Sequence, residues 1–427
     1  MKIAVIGAGF TGLSSAYELI NKNHEVVVFE KDASPGGLAI GYKEKNWDWS
    51  LEKHYHHWFT NDKSVLDLAK KINYEVIVRK PKTSVFVKNK IYQFDSPQSV
   101  LKFPLLSFFE RLRMGAVIGF LKYDPFWKAL EKYRAPVILP NVMGKKAYEM
   151  IWEPLFINKF GNFSDNVSLA WFWGRIKKRT SSLVYPKEGF INFAYAIVDE
   201  IRKKGALVNF QTEIVELKEE NKKLKIKFKS LNGKIVNEVF DKAIITVPSF
   251  LFLKIAPSLP QDYKNSLGKL KGLGATNLIL RLNKPFFSDN TYWLNICDKN
   301  TPIMAIVEHT NFIDKKNYDN EHIVYLGNYK SANDAYFLMT KDEMLKKFDP
   351  YLKNINPTYE KNIIGFELFK APFAQPIIPI NYSKILPPFK TPFKNVFLAN
   401  IEQVYPWDRG TNYAVELGQK VCEYILN

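Results

Sequence analysis

The first thirty residues follow the order strand, helix, strand. Residues 2–6 form a short apolar run, residues 10–21 repeat apolar positions at helical spacing, and residues 25–29 form a second apolar run that ends at Glu30. This order predicts the start of a βαβ unit, in which a helix joins two parallel strands.

Farther along, helical and strand patterns occupy separate stretches of the chain. Residues 84–94 alternate apolar and polar positions around a turn at residues 89–90, which predicts a hairpin. Residues 97–180 have helical patterns rich in Phe, Leu and Arg, with a proline-bounded gap before residue 145. A helix over 190–204 follows, then strand patterns at 208–210, 224–229, 235–240, 243–247, 276–282, 292–296, 303–308 and 322–326, and a helix over 341–352. Residues 395–399 and 412–425 add a short buried strand and a closing helix, which we expect to complete the first sheet.

Composition bounds the class of protein and its compartment. The chain has 427 residues, 46% of them hydrophobic, which is enough for two or three domains with their own cores. Cys297 and Cys422 have no metal-ligand or CxxC spacing, so we expect neither a disulfide framework nor a metal site of cysteines. The apolar run before Gly7 is too short for a signal peptide, and the run at 114–121 is far below the roughly 20 residues that cross a bilayer. We therefore expect a cytoplasmic protein.

The formal net charge of +18 comes almost entirely from lysine, because only nine of the 61 basic residues are arginine. Such an excess fits a solvated lysine-rich surface, an anionic substrate or an anionic membrane face. We expect no nucleic-acid partner, and the oligomeric state stays open. Since arginine is scarce, its placement is more informative than that of lysine.

The turn between the first strand and the first helix has the spacing of a dinucleotide fingerprint, with glycines at Gly7, Gly9 and Gly12. One glycine makes the tight turn, one lets a diphosphate approach the backbone, and one packs the helix on the strand. Glu30 ends the second strand, where its carboxylate can accept hydrogen bonds from ribose hydroxyls. The predicted cofactor contacts here are Gly7, Gly9, Phe10, Thr11, Gly12, Glu30 and Lys31.

Two further segments favour FAD over NAD. A second glycine turn at Gly36 and Gly37, followed by Leu38, lies just beyond the ribose-binding acid and gives the cofactor another close backbone. Near the other end of the chain, the strand at 396–400 leads through a loop to a helix opened by Gly410. The N-terminus of that helix is suited to stabilising negative charge on a reduced flavin.

These motifs resemble the flavin amine oxidase superfamily, which includes protoporphyrinogen oxidases, phytoene desaturases and, more distantly, UDP-galactopyranose mutases. The matching blocks are residues 7–12 with Glu30, 35–38, 244–248 and 399–418, and in the last of them Asn400 replaces the usual glycine. The resemblance implies noncovalent FAD, because no cysteine occupies the usual tethering position. The additional cofactor contacts that it implies are Ile214, Pro248, Asn400, Glu402, Gly410, Thr411 and Asn412.

The predicted fold class is α/β, with a discontinuous FAD-binding Rossmann-like domain of the glutathione-reductase type, a mixed-sheet substrate domain and a helical insertion. The FAD-binding domain takes residues 1–80, 185–250 and 395–427. The substrate domain takes 81–96 and 251–394, and the insertion takes 97–184.

Three of the six histidines lie in one short run, at His54, His56 and His57. In an extended segment His54 and His56 share one face, so we predict both as catalytic residues near the flavin ring. Imidazoles there can exchange protons near neutral pH or donate hydrogen bonds to the substrate. A metal site and a purely structural cluster are the alternatives, although the sequence points to no third metal ligand.

Arginines mark the predicted substrate site. Arg175 and Arg179 are four residues apart, so on one helix they would form a clamp for phosphate or carboxylate. Asp408 and Arg409 directly precede the flavin helix and are predicted to be catalytic. We also assign Tyr185 and Trp407 to substrate binding. The alternative for the 171–179 stretch is a solvated basic face over a tryptophan core.

The Phe-rich helices bear on localisation. Arg111 and Arg113 stand between apolar stretches at 103–109 and 114–121. Such a segment fits peripheral association with the inner face of a membrane, a substrate tunnel or an ordinary helical core.

The function predicted from these observations is an FAD-dependent oxidoreductase that transfers a hydride from a substrate C–H bond to the flavin. We expect a small-molecule substrate that carries an anionic group. One alternative is a non-redox isomerase resembling UDP-galactopyranose mutase, which acts on a nucleotide sugar. Another is a flavin-bearing assembly partner without turnover.

Overall fold

A parallel sheet forms the centre of the first domain in the computed structural model, which describes residues 1–220 and 223–427. Its strand order is β10-β2-β1-β14-β20. The strands are β1 (Lys2–Ile6), β2 (Glu25–Phe29), β10 (Leu207–Asn209), β14 (Lys242–Ile245) and β20 (Val396–Leu398). Because strands from the beginning, middle and end of the chain pair in one sheet, the predicted return of the last residues to the first sheet is confirmed.

Four helices surround this sheet: α1 (Phe10–Ile20), α2 (Lys63–Lys71), α10 (Phe190–Lys203) and α14 (Thr411–Leu426). Helix α14 packs so closely on α1 that a Cβ at Gly418 would lie 2.5 Å from the carbonyl oxygen of Thr11. The Ser14 hydroxyl donates to the Val415 carbonyl across the same contact at 3.0 Å. The contact packs the first half of α14 against the first turns of α1.

A second, mixed sheet has the order β19-β15-β18-β17-β16-β7-β8. Its strands are β7 (Lys82–Val87), β8 (Lys90–Gln93), β15 (Gly272–Leu282), β16 (Thr291–Ile296), β17 (Ala305–Glu308), β18 (His322–Lys330) and β19 (Ile363–Pro376). Strands β7 and β16 pair in parallel, whereas the other neighbours are antiparallel. The predicted hairpin is confirmed as β7–β8, but its turn lies one residue earlier than predicted, at Lys88 and Asn89, which both have positive φ.

Shorter strands complete the sheets. They are β3 (Gly41–Tyr42) with β4 (Leu51–Glu52), then β5 (Trp58–Phe59), β6 (Val76–Arg79) and β9 (Leu183–Pro186), and finally β11 (Glu213–Glu220), β12 (Lys223–Lys229) and β13 (Ile235–Phe240).

Helices fill most of the stretch between the hairpin and β9. They are α3 (Pro97–Leu101), α4 (Phe108–Tyr123), α5 (Trp127–Leu130), α6 (Ala135–Met143), α7 (Lys145–Ala147), α8 (Glu153–Phe160) and α9 (Leu169–Lys178), with a π-helical turn at Tyr148–Trp152. The remaining helices are α11 (Ser249–Ile255), α12 (Gln261–Leu267) and α13 (Lys341–Lys353). Across the described residues, no helix has the length and apolar character needed to span a bilayer.

Several elements were not predicted, among them β6, β9, β11, α11 and α12. Proline accounts for two further differences. Helix α6 occupies the stretch expected to be a gap. Pro136 stands in its first turn, where a missing N–H costs nothing, whereas Pro140 lies inside the helix and removes one hydrogen-bond donor. Strand β19 was not predicted because Pro372 and Pro376 interrupt its pattern. It lies at the edge of the mixed sheet, where proline is tolerated.

Candidate functional site

The first glycine turn has the close packing expected of a dinucleotide fingerprint. Gly7 has a φ of +106°, and a Cβ on it would lie 2.6 Å from the hydroxyl of Thr246. A Cβ on Gly12 would lie 1.9 Å from the carbonyl oxygen of Gly7. Both positions therefore require glycine, one for the turn and one for packing the helix on the strand.

The second glycine turn packs directly on the first. The Gly36 N–H donates to the Ala8 carbonyl at 3.0 Å, and a Cβ on Gly37 would lie 3.1 Å from the Cα of Gly9. Gly36 and Gly37 both have positive φ. Two side-chain-free backbone segments therefore meet, which is the surface that a diphosphate needs for close approach.

Helices α1 and α14 both begin at a glycine without a side-chain cap. Neither Gly9 nor Gly410 caps its helix through a side chain, and neither helix has an acidic residue in its first turn. The first N–H groups of each helix therefore remain free for an anion or a polarised carbonyl. The side chains of Thr411 and Asn412 are already used, since Thr411 accepts from the indole of Trp58 at 2.5 Å and Asn412 from the backbone of α2 at 3.1 Å.

Glu30 is held beside the first glycine turn by its own carboxylate. Its two oxygens accept the N–H groups of Ala8 at 2.7 Å and Asp32 at 3.0 Å. Burial raises the pKa of this carboxyl, while the two N–H donors partly offset the rise. Its carbonyl accepts from Thr212 at 2.8 Å. The other two predicted contacts in this region are an exposed Lys31 and a buried Ile214.

The glycine turns, free helix N-termini and carboxylate fit an adenine dinucleotide cofactor. The N–H groups of α1 would hold the diphosphate, and Glu30 has lone pairs left for ribose hydroxyls. The N-terminus of α14 would lie against the other half of the cofactor.

Asn400 and Glu402 form a buried network after strand β20. The Asn400 amide donates to Glu402 at 2.9 Å and to the Val247 carbonyl at 3.2 Å. Glu402 accepts from the backbone N–H of Ser249 at 3.1 Å and also from its hydroxyl. Ser249 opens α11 directly after Pro248. These side chains thus bond first to one another, and their contact with the cofactor stays a prediction.

The histidine run divides between two recesses. His54, Tyr55 and His56 line a narrow recess together with Leu38, Tyr329 and Arg409, which we call the inner cleft. Burial lowers the pKa of His54 to about 3 and that of His56 to about 4. Both imidazoles are therefore neutral at pH 7 and suited to hydrogen bonding, and exchange of protons near neutral pH is not expected of them.

Four charged side chains form a cluster beside the inner cleft. Asp408 accepts from Arg175 at 2.6 Å and from Lys159 at 3.1 Å, and Arg409 is its neighbour in the chain. Burial alone would raise the pKa of Asp408, but the three cations outweigh it and hold the pKa well below its ordinary value. Burial lowers the pKa of Lys159 well below its ordinary value, and Asp408 offsets this only in part. We call Lys159, Arg175, Arg409 and Asp408 the cation cluster. Because arginines keep their protons, Lys159 is the cation of this cluster that loses its proton most readily.

Arg409 links the cation cluster to the inner cleft. Its guanidinium donates to the Gln375 side chain at 2.8 Å and to the hydroxyl of Tyr329. Gln375 also donates to Asp408 at 3.4 Å. Lys159, Gln375 and Tyr329 are not among the site residues predicted from the sequence. For Lys159 a signal existed, because it follows Phe156 by three residues and so falls on the buried face of α8.

Arg175 and Arg179 have different surroundings, and their role as a clamp stays a prediction. Helix α9 ends at Lys178, and Arg179 directly follows it with an extended ψ of 132°. Arg175 pairs with Asp408, whereas Arg179 lines a separate cavity of about 710 Å³ together with His57. We call this second recess the outer cavity.

Two further predicted substrate contacts lie in aromatic packing. The indole of Trp407 stacks between Trp173, at 5.2 Å, and Tyr413, at 5.9 Å. Tyr185 is fully buried and donates its hydroxyl to Glu52 at 2.8 Å. The role of both residues in substrate binding stays a prediction.

Comparison with known proteins places this site in a family. A sequence model of the family described as flavin-containing amine oxidoreductase matches residues 10–426. Coproporphyrinogen III oxidase of Staphylococcus aureus (strain NCTC 8325 / PS 47) is 24% identical over 292 residues, which cover 59% of this chain and 61% of that protein. An L-amino-acid oxidase of Sistrurus catenatus edwardsii is 21% identical over 314 residues, 67% of this chain and 59% of that protein. The chain thus spans about three fifths of these curated relatives.

Solved structures share the fold over nearly the whole chain. An oxidoreductase from Methanosarcina mazei superposes with a TM-score of 0.76 at 18% identity, covering 99% of this chain and 100% of the other. Reduced UDP-galactopyranose mutase gives 0.77 at 14% identity, covering 100% and 95%. Putrescine oxidase bound to putrescine gives 0.75 at 14% identity, covering 100% and 98%. At these identities the similarity concerns the fold alone, and the family match carries the assignment. This chain belongs to the flavin-containing amine oxidoreductase family, which confirms the fold class and the FAD cofactor predicted from its sequence.

Proposed function

We propose that this protein is an FAD-dependent oxidoreductase that removes a hydride from a C–H bond of an anionic small molecule. One observation carries the choice of an anionic substrate. Lys159, Arg175 and Arg409 surround a single carboxylate, Asp408, beside the inner cleft. A buried excess of positive charge is costly unless an anion compensates it.

The chain's own residues would orient the substrate and hold its charge. When bound, the flavin supplies the hydride acceptor, and the protein supplies position and electrostatics. Neutral His54 and His56 would hydrogen-bond the substrate in the inner cleft. An arriving anion would favour the protonated form of Lys159, since it adds the negative charge that the cation cluster lacks. Arg409 is suited to binding the anion because its guanidinium borders both the cleft and the cluster.

Anaerobic mixing of the FAD-loaded protein with a panel of organic anions and their neutral amides tests this proposal. We expect at least one anion to bleach the flavin absorbance, and its amide to do so far more slowly. Arg409→Gln should raise KM by about tenfold or more, the usual scale for losing a charged contact, with a smaller change in kcat. Arg134→Gln, which removes an exposed arginine outside both recesses, is the matched control.

A non-redox isomerase acting on a nucleotide sugar is the second candidate. The same excess of positive charge suits a diphosphate, and reduced UDP-galactopyranose mutase shares the fold. Turnover of a nucleotide sugar only after prior reduction with dithionite would favour this candidate. If no compound bleaches the flavin and reduction enables no turnover, a flavin-bearing assembly partner becomes the better explanation.

A further inference from the structure

The outer cavity is a large recess outside the cation cluster. It encloses about 710 Å³ between helix α4, the β7–β8 hairpin and the end of α9. Most of its wall is apolar, including Leu112 and Ile176. On the face of α4 that borders it, a Cβ on Gly115 or Gly119 would meet no atom within 4 Å. These two glycines leave room for a bulky apolar group.

Arg179 is a cation in this wall without a counter-ion. In the described part of the chain, no group accepts a hydrogen bond from its guanidinium or forms an ion pair with it. The residue is accessible to solvent, yet enough protein surrounds it that burial lowers the pKa of the guanidinium to about 10. Arg175 adds to the lowering, and Asp408 opposes it. Arg179 therefore stays charged at pH 7, is exposed to solvent and has no protein anion among the described residues to pair with.

The other charged groups of the wall are already bonded within the protein. The Lys122 ammonium donates to carbonyls at the end of α9, including that of Lys177 at 3.1 Å. The carboxylate of Asp95 accepts from the backbone of Thr83 at 3.3 Å and from the Gln93 amide at 3.0 Å. Arg179 is thus the charge in this wall that is free to bind a ligand.

One aromatic layer separates the outer cavity from the inner cleft. Trp293 and His57 line the cavity, and Tyr55 lines the cleft. The rings of Trp293 and Tyr55 meet edge to face with centroids 4.8 Å apart. A ligand in the outer cavity that contacted Trp293 would therefore be separated from the inner cleft by one layer of aromatic side chains.

We propose that the outer cavity binds organic anions with a large apolar body, the charged group pairing with Arg179 and the body lying against α4. That such a molecule is the substrate rests on the proposed function, and it would then carry two anionic groups, one for Arg409 and one for Arg179. The binding site itself does not, because its lining residues and its charge are independent of the flavin.

Calorimetric titration of the FAD-loaded protein with 1-naphthylacetate and 1-naphthylacetamide tests the site, because the two probes differ mainly in charge. We expect the anion to bind about tenfold or more tightly than the amide. Arg179→Gln should reduce this preference to within about twofold, whereas Arg179→Lys should retain most of it. Gly119→Leu should weaken both probes by filling the cavity, and Arg134→Gln should change neither.

Equal affinities of the two probes in the wild-type protein, or a preference that survives Arg179→Gln, would overturn the inference. Thermal unfolding of each variant checks that it is folded. Flavin reduction is measured separately. A protein that binds naphthylacetate through Arg179, but whose flavin no organic anion reduces, would defeat the proposed function and leave this site standing.

Discussion

Replacing Glu30 tests the ribose-binding role on which the cofactor assignment depends. Its carboxylate is 9% exposed and accepts two backbone N–H groups, from Ala8 at 2.7 Å and from Asp32 at 3.0 Å. Glu30→Gln preserves the shape and one acceptor oxygen but removes the charge. Glu30→Ala removes both acceptors. The two variants therefore separate the contribution to FAD binding from the contribution to the turn itself.

We expect Glu30→Gln to weaken FAD binding by about 1–3 kcal/mol, the scale of hydrogen bonds to a charged group, or about 5- to 150-fold in Kd. Glu30→Ala should also lower the free energy of unfolding of the apo-protein, by about 1–3 kcal/mol for each buried N–H left without an acceptor. Ribose hydroxyls stabilise the carboxylate form, while burial raises the pKa of Glu30 in the free protein. FAD binding should therefore release protons, and affinity should rise with pH until Glu30 is ionised in the free protein, which its raised pKa places above the range of ordinary carboxyls.

Fluorescence titration of the apo-protein with FAD at several pH values gives the affinity, and urea unfolding gives the stability. Asp32→Asn is the control, because Asp32 is exposed and the substitution keeps the backbone N–H that donates to Glu30. It removes the charge of Asp32, which contributes to the raised pKa of Glu30. If both Glu30 variants are folded and bind FAD within about twofold of the wild type, Glu30 is not the ribose ligand.

Two other predictions concern stability and location. Burial raises the pKa of Glu52 to about 7, so the stability that its protonated form contributes is present below about pH 4.5 and lost as pH rises through 7. Urea unfolding should show the wild type losing up to about 3 kcal/mol over that range relative to Glu52→Gln, and parallel curves would contradict the shift. Phe109 and Phe120 are 80% and 64% exposed on α4, so changing both to Ser should reduce sedimentation with anionic phosphatidylglycerol vesicles if this helix meets a membrane. Leu338→Ser, at an 86% exposed position elsewhere, should have no effect, and equal sedimentation of all three proteins would reject membrane binding through α4.

Much of the cofactor half of the fold could be predicted because its constraints are local. At a position such as Gly12 a Cβ would clash with the backbone, so only glycine fits there. Such glycines therefore occur at a fixed spacing in the sequence. The strands β1 and β20 are buried on both faces of a parallel sheet, so each is a continuous apolar run in the sequence. Such a run predicts a buried strand wherever it lies in the chain. The FAD assignment followed from these patterns. The domain boundaries and the individual site residues stay predictions.

The substrate half was less predictable because its constraints join distant segments. Lys159 and Asp408 are 249 residues apart, so no local spacing in the sequence indicates that they pair. Strand β19 was missed since its prolines are tolerated only at a sheet edge, and edge position is decided by the rest of the sheet. The pKa values of His54 and His56 likewise depend on burial by other segments, so their neutrality could not be inferred from the residue type.

Arg175 in α9 and Arg179 just after it are four residues apart but have different partners. Helix α9 ends at Lys178, so Arg179 is the first residue after it. Lys122 donates to the carbonyls that this ending leaves free, so the boundary is stabilised from another helix. Arg175 forms an ion pair with Asp408, whereas Arg179 has no counter-ion in the described residues. Removing Arg175 would also change the ion pairs of Asp408 with the remaining cations. Removing Arg179 would remove a charge that has no counter-ion in the described residues, so no ion pair of the protein would change. The second change is therefore the more specific probe of ligand charge.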